Sequence, residues 1–555
     1  MVITAITIEN FKGIKDPVRV EFKPITLLFG PNSAGKSTIV QALHYAREVL
    51  GRQNLDADRV EGADESMNLG GFRNLVYGHD TSRTIKISFD LDVDDVLEPF
   101  LAVESPDDMW DWFYGAVDQF DELSDLVPLE THYDVRDIAQ VKTARVSFEV
   151  AWSELFGRPY LKSYGVGFDG SPFADIVARP DGKEVAITNF NYLHPSFLVK
   201  TGDEPDSSRV PYFAALFVVS IKASYFKFRE TTHLLLEDQT TALPHWGQQL
   251  RIAEVCLIPT DERDEGIEDD KFFDQMVNGL LSQLLVRPGE ALLKALEKVK
   301  YIGPIRKTPP RNFNLVRSAD SARWTNGLAA WDHLYLGSDE FVEEVGEWMG
   351  SQDLLDSGFS LKVGRYKKLD INSPLYASLV SASSFDDEED RARELEELPE
   401  ERDIVLFDES RQVQVFPQDI GIGISQLLPV VVGALDAEIG TLVIEQPELH
   451  LHPGLQCRLG DLFVHQAHEQ SGKMFLLETH SEHLLLRLMR RIRETSEEEL
   501  PVGHPGLRPD QLSVNYIDWG AECGTRICQL QIGDDGDSCG EWPEGFFEER
   551  AEELF

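Results

Sequence analysis

Apolar and polar residues alternate in four short runs near the start of the chain: Ile3 to Glu9, Val18 to Phe22, Ile25 to Phe29 and Thr84 to Leu91. Alternation over four to eight residues is the period of a strand. Between the third and fourth runs, Thr38 to Val49 reads as a helix. Two later runs, Gly440 to Ile444 and Met474 to Leu477, are largely apolar, as strands buried in a sheet are. Ala144 to Ala151 is strand-like and Asp270 to Val299 helix-like, while Val103 to Leu126 is acidic and aromatic. Phe385 to Arg402, nearly all Asp, Glu, Arg and Leu, reads as a solvated helix or loop between two strands. No heptad repeat persists, so no coiled-coil arm is expected. The pattern predicts an α/β fold.

The link from the third strand to the helix reads Gly30-Pro31-Asn32-Ser33-Ala34-Gly35-Lys36-Ser37-Thr38. That is a complete phosphate-binding loop in its required strand, loop and helix order. Gly30 and Gly35 let the backbone wrap so that the N–H groups of the loop, Asn32 to Thr38, point at phosphate oxygens. Lys36 supplies a point charge for the β and γ phosphates, Ser37 a hydroxyl for Mg²⁺, and the helix dipole faces the same anion. A nucleoside triphosphate is the expected ligand.

Later in the chain, Val443-Ile444 leads into Glu445-Gln446-Pro447-Glu448. A buried strand here delivers a carboxylate at its C-terminal end, where α/β proteins place ligands. Glu445 is therefore expected to hold Mg²⁺ directly or through water. Met474 to Leu477 leads to Glu478-Thr479-His480-Ser481, and His480 is expected to reach the γ-phosphate.

Composition narrows the class. At 555 residues, 42% hydrophobic and 27% charged, the chain can bury substantial cores and form two or three domains. No apolar run approaches the ~18 residues of a membrane span, and Met1 to Ala5 lacks the character of an export signal. A cytoplasmic protein without membrane contact is expected. The five cysteines, Cys256, Cys457, Cys523, Cys528 and Cys539, form no CxxC pair, so neither a disulfide framework nor a zinc site is indicated. With 52 basic against 97 acidic residues, a formal charge of -45, any nucleic-acid contact must be local. Arg306, Lys307, Arg311, Arg317 and Arg323, interleaved with Tyr301 and Phe313, form one such basic and aromatic island. It binds DNA, pairs with the protein's own acidic surface, or lends Arg306 to the nucleotide site. Asp534-Asp535-Gly536-Asp537 reads as an acidic turn, so no intrinsic nuclease is expected.

Together these motifs resemble the ABC-type ATPases of the structural-maintenance, RecF and overcoming-lysogenization-defect group. The phosphate loop at 30–38 lies far from the carboxylate strand at 442–448, and Ile6 to Ile14 is similar to that group's first strand and turn. The resemblance implies ATP with Mg²⁺, and an ATPase head formed by both ends of the chain with an inserted α+β middle region. The corresponding segments are 1–95, 96–400, 401–520 and a tail, 521–555. Ile420 to Leu428 sits where the group carries its signature helix, which implies that Ser425 caps ATP held by a second subunit and that the chain is a homodimer or higher oligomer.

Glu445 to Pro453, Tyr301 to Arg306 and Trp542 to Phe547 resemble, more narrowly, single-chain bacterial ATPases related to sensor and scaffold subunits of anti-phage systems such as Septu. That implies a separate effector such as a nuclease. The group's water-polarising glutamate is Gln446 here, which implies slow hydrolysis unless Glu448 serves as base. A slow step suits a switch. A RecF-like DNA-maintenance ATPase and a non-hydrolysing scaffold are the alternatives. His450 and His452 fall in the loop that communicates between subunits in the group.

Overall fold

The computed structural model describes residues 2–56, 69–93, 141–191, 194–200, 209–211, 234–252, 278–279, 281–310, 321–381, 388–467, 472–520, 524–540 and 542. Three of the alternating runs form strands β1 (Val2–Glu9), β2 (Val18–Glu21) and β4 (Ile85–Asp92) of one sheet, whereas β3 (Ile25–Phe29) leaves it for another. The reason is in the burial. β1 and β4 alternate between inside and outside, but all five residues of β3 are buried. A strand covered on both faces belongs in the middle of a parallel sheet.

That second sheet runs in the order β12 (Val299–Ile302), β16 (Thr441–Glu445), β17 (Met474–Glu478), β3, β18 (Leu512–Gly520), β19 (Gly524–Leu530). All neighbours are parallel except the final pair. The head sheet is thus built from both ends of the chain, as expected. Along β3 the side chains divide: Leu28 enters one core, and Ile25, Leu27 and Phe29 enter the other. Helix α1 (Lys36–Arg52) fills the first core, between the two sheets. Helices α2 (Ile422–Leu435), α3 (Pro453–Gln466) and α4 (Glu482–Ser496) fill the second.

The inserted region contributes to both sheets. Strands β5 (Thr143–Ser153), β6 (Arg158–Phe168), β7 (Ser171–Ala178), β8 (Val185–Thr188) and β11 (Leu234–Leu235) extend the antiparallel sheet, whose order is β11-β8-β7-β6-β5-β4-β1-β2. A hairpin of β9 (Leu198–Lys200) and β10 (Arg209–Pro211) stands apart, as does a three-stranded sheet of β13 (Phe359–Lys367), β14 (Glu400–Asp408) and β15 (Val413–Val415). The charge run becomes the helix Glu388–Glu397 between β13 and β14. The two large sheets draw strands from every expected segment: β5 to β8 and β12 come from 96–400, and β19 from 521–555. Val103 to Leu126, Arg311, Phe313 and Arg317 lie outside the described residues. Among those described, no helix is long and apolar enough to cross a membrane.

Candidate nucleotide site

Register places the site. Glu445 is the Cα partner of Glu478, and Glu478 of Leu28, so three adjacent parallel strands end level with one another. Such an edge is where ligands sit in open α/β sheets. From β3 the chain enters the loop through Gly30 at φ 140°, Ser33 at φ 66° and Gly35 at φ 109°. The two glycines are required by close approach as well. A Cβ at Gly30 would lie 2.0 Å from the Ile517 carbonyl oxygen, and one at Gly35 2.7 Å from Thr525 Oγ1. Thr525 donates to the Ala34 carbonyl at 3.0 Å, so β19 braces the loop from a position 491 residues away in sequence. Asn32 and Ser33 are exposed, whereas Ala34 and Thr38 are buried, and the Thr38 N–H donates to Gly35 at 3.0 Å.

Lys36 is 4% exposed. Its Nζ donates to the carbonyls of Gly30 and Pro31 at 2.9 and 3.0 Å and lies 3.9 Å from Glu478 Oε1. Ser37 Oγ donates to Glu478 Oε2 at 2.9 Å. The Tyr301 and Ser37 hydroxyls lie beside the Glu445 carboxylate and lower it. Burial raises the carboxyls of Glu445 and Glu448, and burial together with Glu445 pushes Glu478 up to about 7. Burial is the main cause for all three carboxyls, and only Glu478 is also raised by its acidic neighbours. Among the described residues no three His, Cys, Asp or Glu side chains form a metal cage. At this edge Ser37 and Glu445 would be the residues to hold Mg²⁺, with nucleotide oxygens and water completing its shell, and the ion would supply charge neutralisation at the phosphates. The hydroxyl, the uncompensated carboxylates and the glycine cradle suit that group.

Arg306 ties the carboxylate strand to α2. Only 2% exposed, it donates through its guanidinium to the carbonyls of Gln426 at 3.2 Å, Glu445 at 2.8 Å and Gln446 at 3.2 Å. The Gln426 amide closes the strap, accepting from Arg306 N at 2.9 Å and donating to its carbonyl at 2.7 Å. Gln446 takes φ 46°, and its N–H donates to Glu478 O at 2.7 Å. His480 is exposed at the same edge. Partial desolvation and Lys36 hold its imidazole below the usual range.

Hydrogen bonds bear on three of these expectations. Glu448 is hydrogen-bonded: Oε2 accepts from Thr479 Oγ1 at 2.8 Å and Oε1 from the His480 N–H at 2.9 Å, making it a tether between two strand ends. Ser425 is 4% exposed and donates to Ile422 O at 2.8 Å, so it faces its own helix, while Ile422 stands 60% exposed at the helix start. Two arginines of the basic island are engaged within the chain, while Lys307 is exposed. Arg306 is buried as above, and Arg323 pairs with Asp332 through bonds of 2.6 and 2.8 Å. His452 caps α3, accepting from Gly454 N at 3.3 Å. Sequence reasoning gave Glu478, Tyr301 and Thr525 no place in the site. The signal for Glu478 was an acid ending a buried apolar run; nothing local marked the other two.

Residues 1–93 match the family described as AAA ATPase domain, and residues 257–487 the family described as AAA domain, putative AbiEii toxin, Type IV TA system. Two stretches of this chain carry AAA-type ATPase sequence. They supply, respectively, the phosphate loop and the strands that bear Glu445 and Glu478. No curated protein matches the chain. Among solved structures, the SMC head domain from Thermotoga maritima is similar at 9% identity, covering 96% of this chain and 100% of its own, with a TM-score of 0.34. The Smc head domain with an extended coiled coil, bound to the C-terminal domain of ScpA and derived from Pyrococcus furiosus, gives 11%, 100%, 98% and 0.36. The strand order itself, rather than these likenesses, carries the fold assignment.

Proposed function

We propose that this ATPase is an ABC-type switch that binds ATP and Mg²⁺ at the edge of β3, β16 and β17, hydrolyses it slowly, and changes its self-association in doing so. The observation that carries this reading is the convergence of Lys36, Ser37, Glu445 and Glu478 on one level of three adjacent parallel strands. Lys36 and the loop N–H groups hold the β and γ phosphates, Ser37 and Glu445 hold the cation, and Gln446 orients water without accepting its proton. Glu448 keeps His480 in place through its backbone.

A homodimer is supported by apolar surface near the start of α2. Ile305, Phe416 and Ile422 are exposed there, on segments joined by the Gln418 Nε2 bond to Pro309 O at 2.6 Å. A cytoplasmic sensor or scaffold in anti-phage defence, controlling a separate nuclease-type effector, is supported by the resemblance of Glu445 to Pro453 and of Tyr301 to Arg306 to such ATPases. The toxin system named in the second family's description agrees with it.

Phosphate release from ATP by purified protein, with Lys36→Ala as control, tests the enzyme. Turnover that survives Lys36→Ala would sink it. Expressed with its genomic neighbours, the chain should protect a bacterial lawn from phage, and Lys36→Ala should remove that protection. Full turnover without protection would discard the defence role and keep the ATPase. Retained ATP with no release would favour the non-hydrolysing scaffold, for which the amide at Gln446 is the specific support.

A further inference from the structure

Three separate segments meet at Thr525. Its Oγ1 donates to the Ala34 carbonyl at 3.0 Å, lies 2.7 Å from where a Gly35 Cβ would stand and 3.1 Å from where a Gly13 Cβ would stand. Its N–H donates to the Gly13 carbonyl at 3.0 Å. The side chain of Thr525 therefore points at the phosphate loop.

In the β18–β19 pair, Trp519 is the direct partner of Thr525. Directly opposed residues of an antiparallel pair share a face, with Cβ atoms about 5 Å apart. The pattern holds further down the pair: Ile517 is opposite Ile527, and both belong to the core around α1. Trp519 thus shares the loop-facing side with Thr525. Its height agrees. Tyr516 is level with Phe29, the last residue before the loop, and Trp519 lies three residues on, roughly 10 Å further along the strand. Yet Trp519 is 56% exposed. An exposed indole on the loop-facing side of the pair, beyond the end of β3, is chemically suited to be a stacking platform.

We infer that Trp519 is the base-stacking residue of the nucleotide site, the purine lying on its indole while the triphosphate runs into Gly30 to Thr38. This rests on the nucleotide reading above. It adds a specificity element from the C-terminal hairpin and accounts for β19 being packed against a loop near the other end of the chain. Triphosphate contacts alone do not distinguish nucleosides; a ring platform favours the larger π-face of a purine.

Calorimetric titration of the full chain with Mg²⁺-ATP and with Mg²⁺-tripolyphosphate, which has phosphates and no base, tests it. Trp519→Ala should weaken ATP about 10- to 100-fold, as loss of one stacked base does, and leave tripolyphosphate unchanged. Trp519→Phe should recover most of the ATP affinity. Unchanged ATP affinity in Trp519→Ala overturns the inference. Equal loss of both ligands overturns it too, because Trp519 would then only shape the hairpin. Wild-type protein that binds both ligands equally removes the base contact and keeps the phosphate loop, whereas wild-type protein that binds neither removes both readings.

Discussion

The loop side and the carboxylate side of the sheet edge are built in opposite ways. The loop side is one contiguous segment, Gly30 to Thr38, whose shape is fixed by backbone geometry and whose buried cation is satisfied by the carbonyls of Gly30 and Pro31. The carboxylate side is assembled from two strands and depends on register. Its cations are not spent on it in full: Arg306, like Lys36, directs its hydrogen bonds at carbonyl oxygens. Burial leaves Glu445, Glu448 and Glu478 with raised values that these cations lower only in part. One side is ready for an anion and the other for a cation, which is the division a metal-bound triphosphate requires.

Removing the loop's charge tests the comparison most severely. Lys36→Ala should lower ATP affinity on the order of a thousandfold, since charge-assisted hydrogen bonds are worth ~1.5–3 kcal/mol each and Lys36 has donors for more than one oxygen. Affinity within tenfold of wild type would remove the loop from the site. On the other side, Gln446→Glu introduces a base at a position whose backbone is held at both ends, by Glu478 O and by Arg306. Turnover should rise about a hundredfold, the lower part of what general base catalysis contributes. An unchanged rate would place the limiting step elsewhere, in product release or in another proton acceptor.

The same division explains what could be read from sequence. The loop was legible because its chemistry lies within nine consecutive residues, and β16 and β17 because their apolar runs are unbroken. Glu445 followed from its place at a strand end. Glu478 looked like one more acid after a strand; only the registers β16 to β17 and β17 to β3 bring it beside Ser37 and Lys36. Arg306 was read as one of three things, and burial decides among them. The surroundings of Glu448 and Ser425 were illegible for a related reason: the partners of a carboxylate or hydroxyl, here Thr479 and the turn at Ile422, are not revealed by pattern. Thr525 lies in the segment read as a tail and Trp519 just before it, and a strand's place in a sheet is not written in its own residues.

A smaller effect is expected from the strap between the two sides. Arg306→Ala orphans the Glu445 and Gln446 carbonyls and one face of Gln426, each buried acceptor costing ~1–3 kcal/mol when unpaired. With partial relaxation, chemical denaturation should show a loss of about 2–3 kcal/mol. Arg306→Lys, which keeps the charge but cannot span three carbonyls, should recover only part of it. A loss below about 0.5 kcal/mol in the alanine variant would mean that α2 and the carboxylate strand are not held together by this strap.

The last test uses protons. Burial and Glu445 raise Glu478 from 4.5 to about 7, so the folded chain favours its neutral form. A raised acid lends stability below its unfolded value that is lost as pH rises through the folded one. Without Mg²⁺, therefore, stability should decline between pH 4.5 and about 7 on account of this group. Cation binding carries the opposite sign. A cation beside Glu478 favours the carboxylate, so binding must release the proton that the group holds below about 7. Apparent Mg²⁺ affinity in the presence of ATP should climb by up to about tenfold per unit below that point and level off above it. Glu478→Gln, which keeps the shape and the acceptor for Ser37, should flatten the profile. An equally steep rise in that variant would assign the proton to another group, and a flat wild-type profile would mean that the carboxylate side does not exchange its proton for the metal.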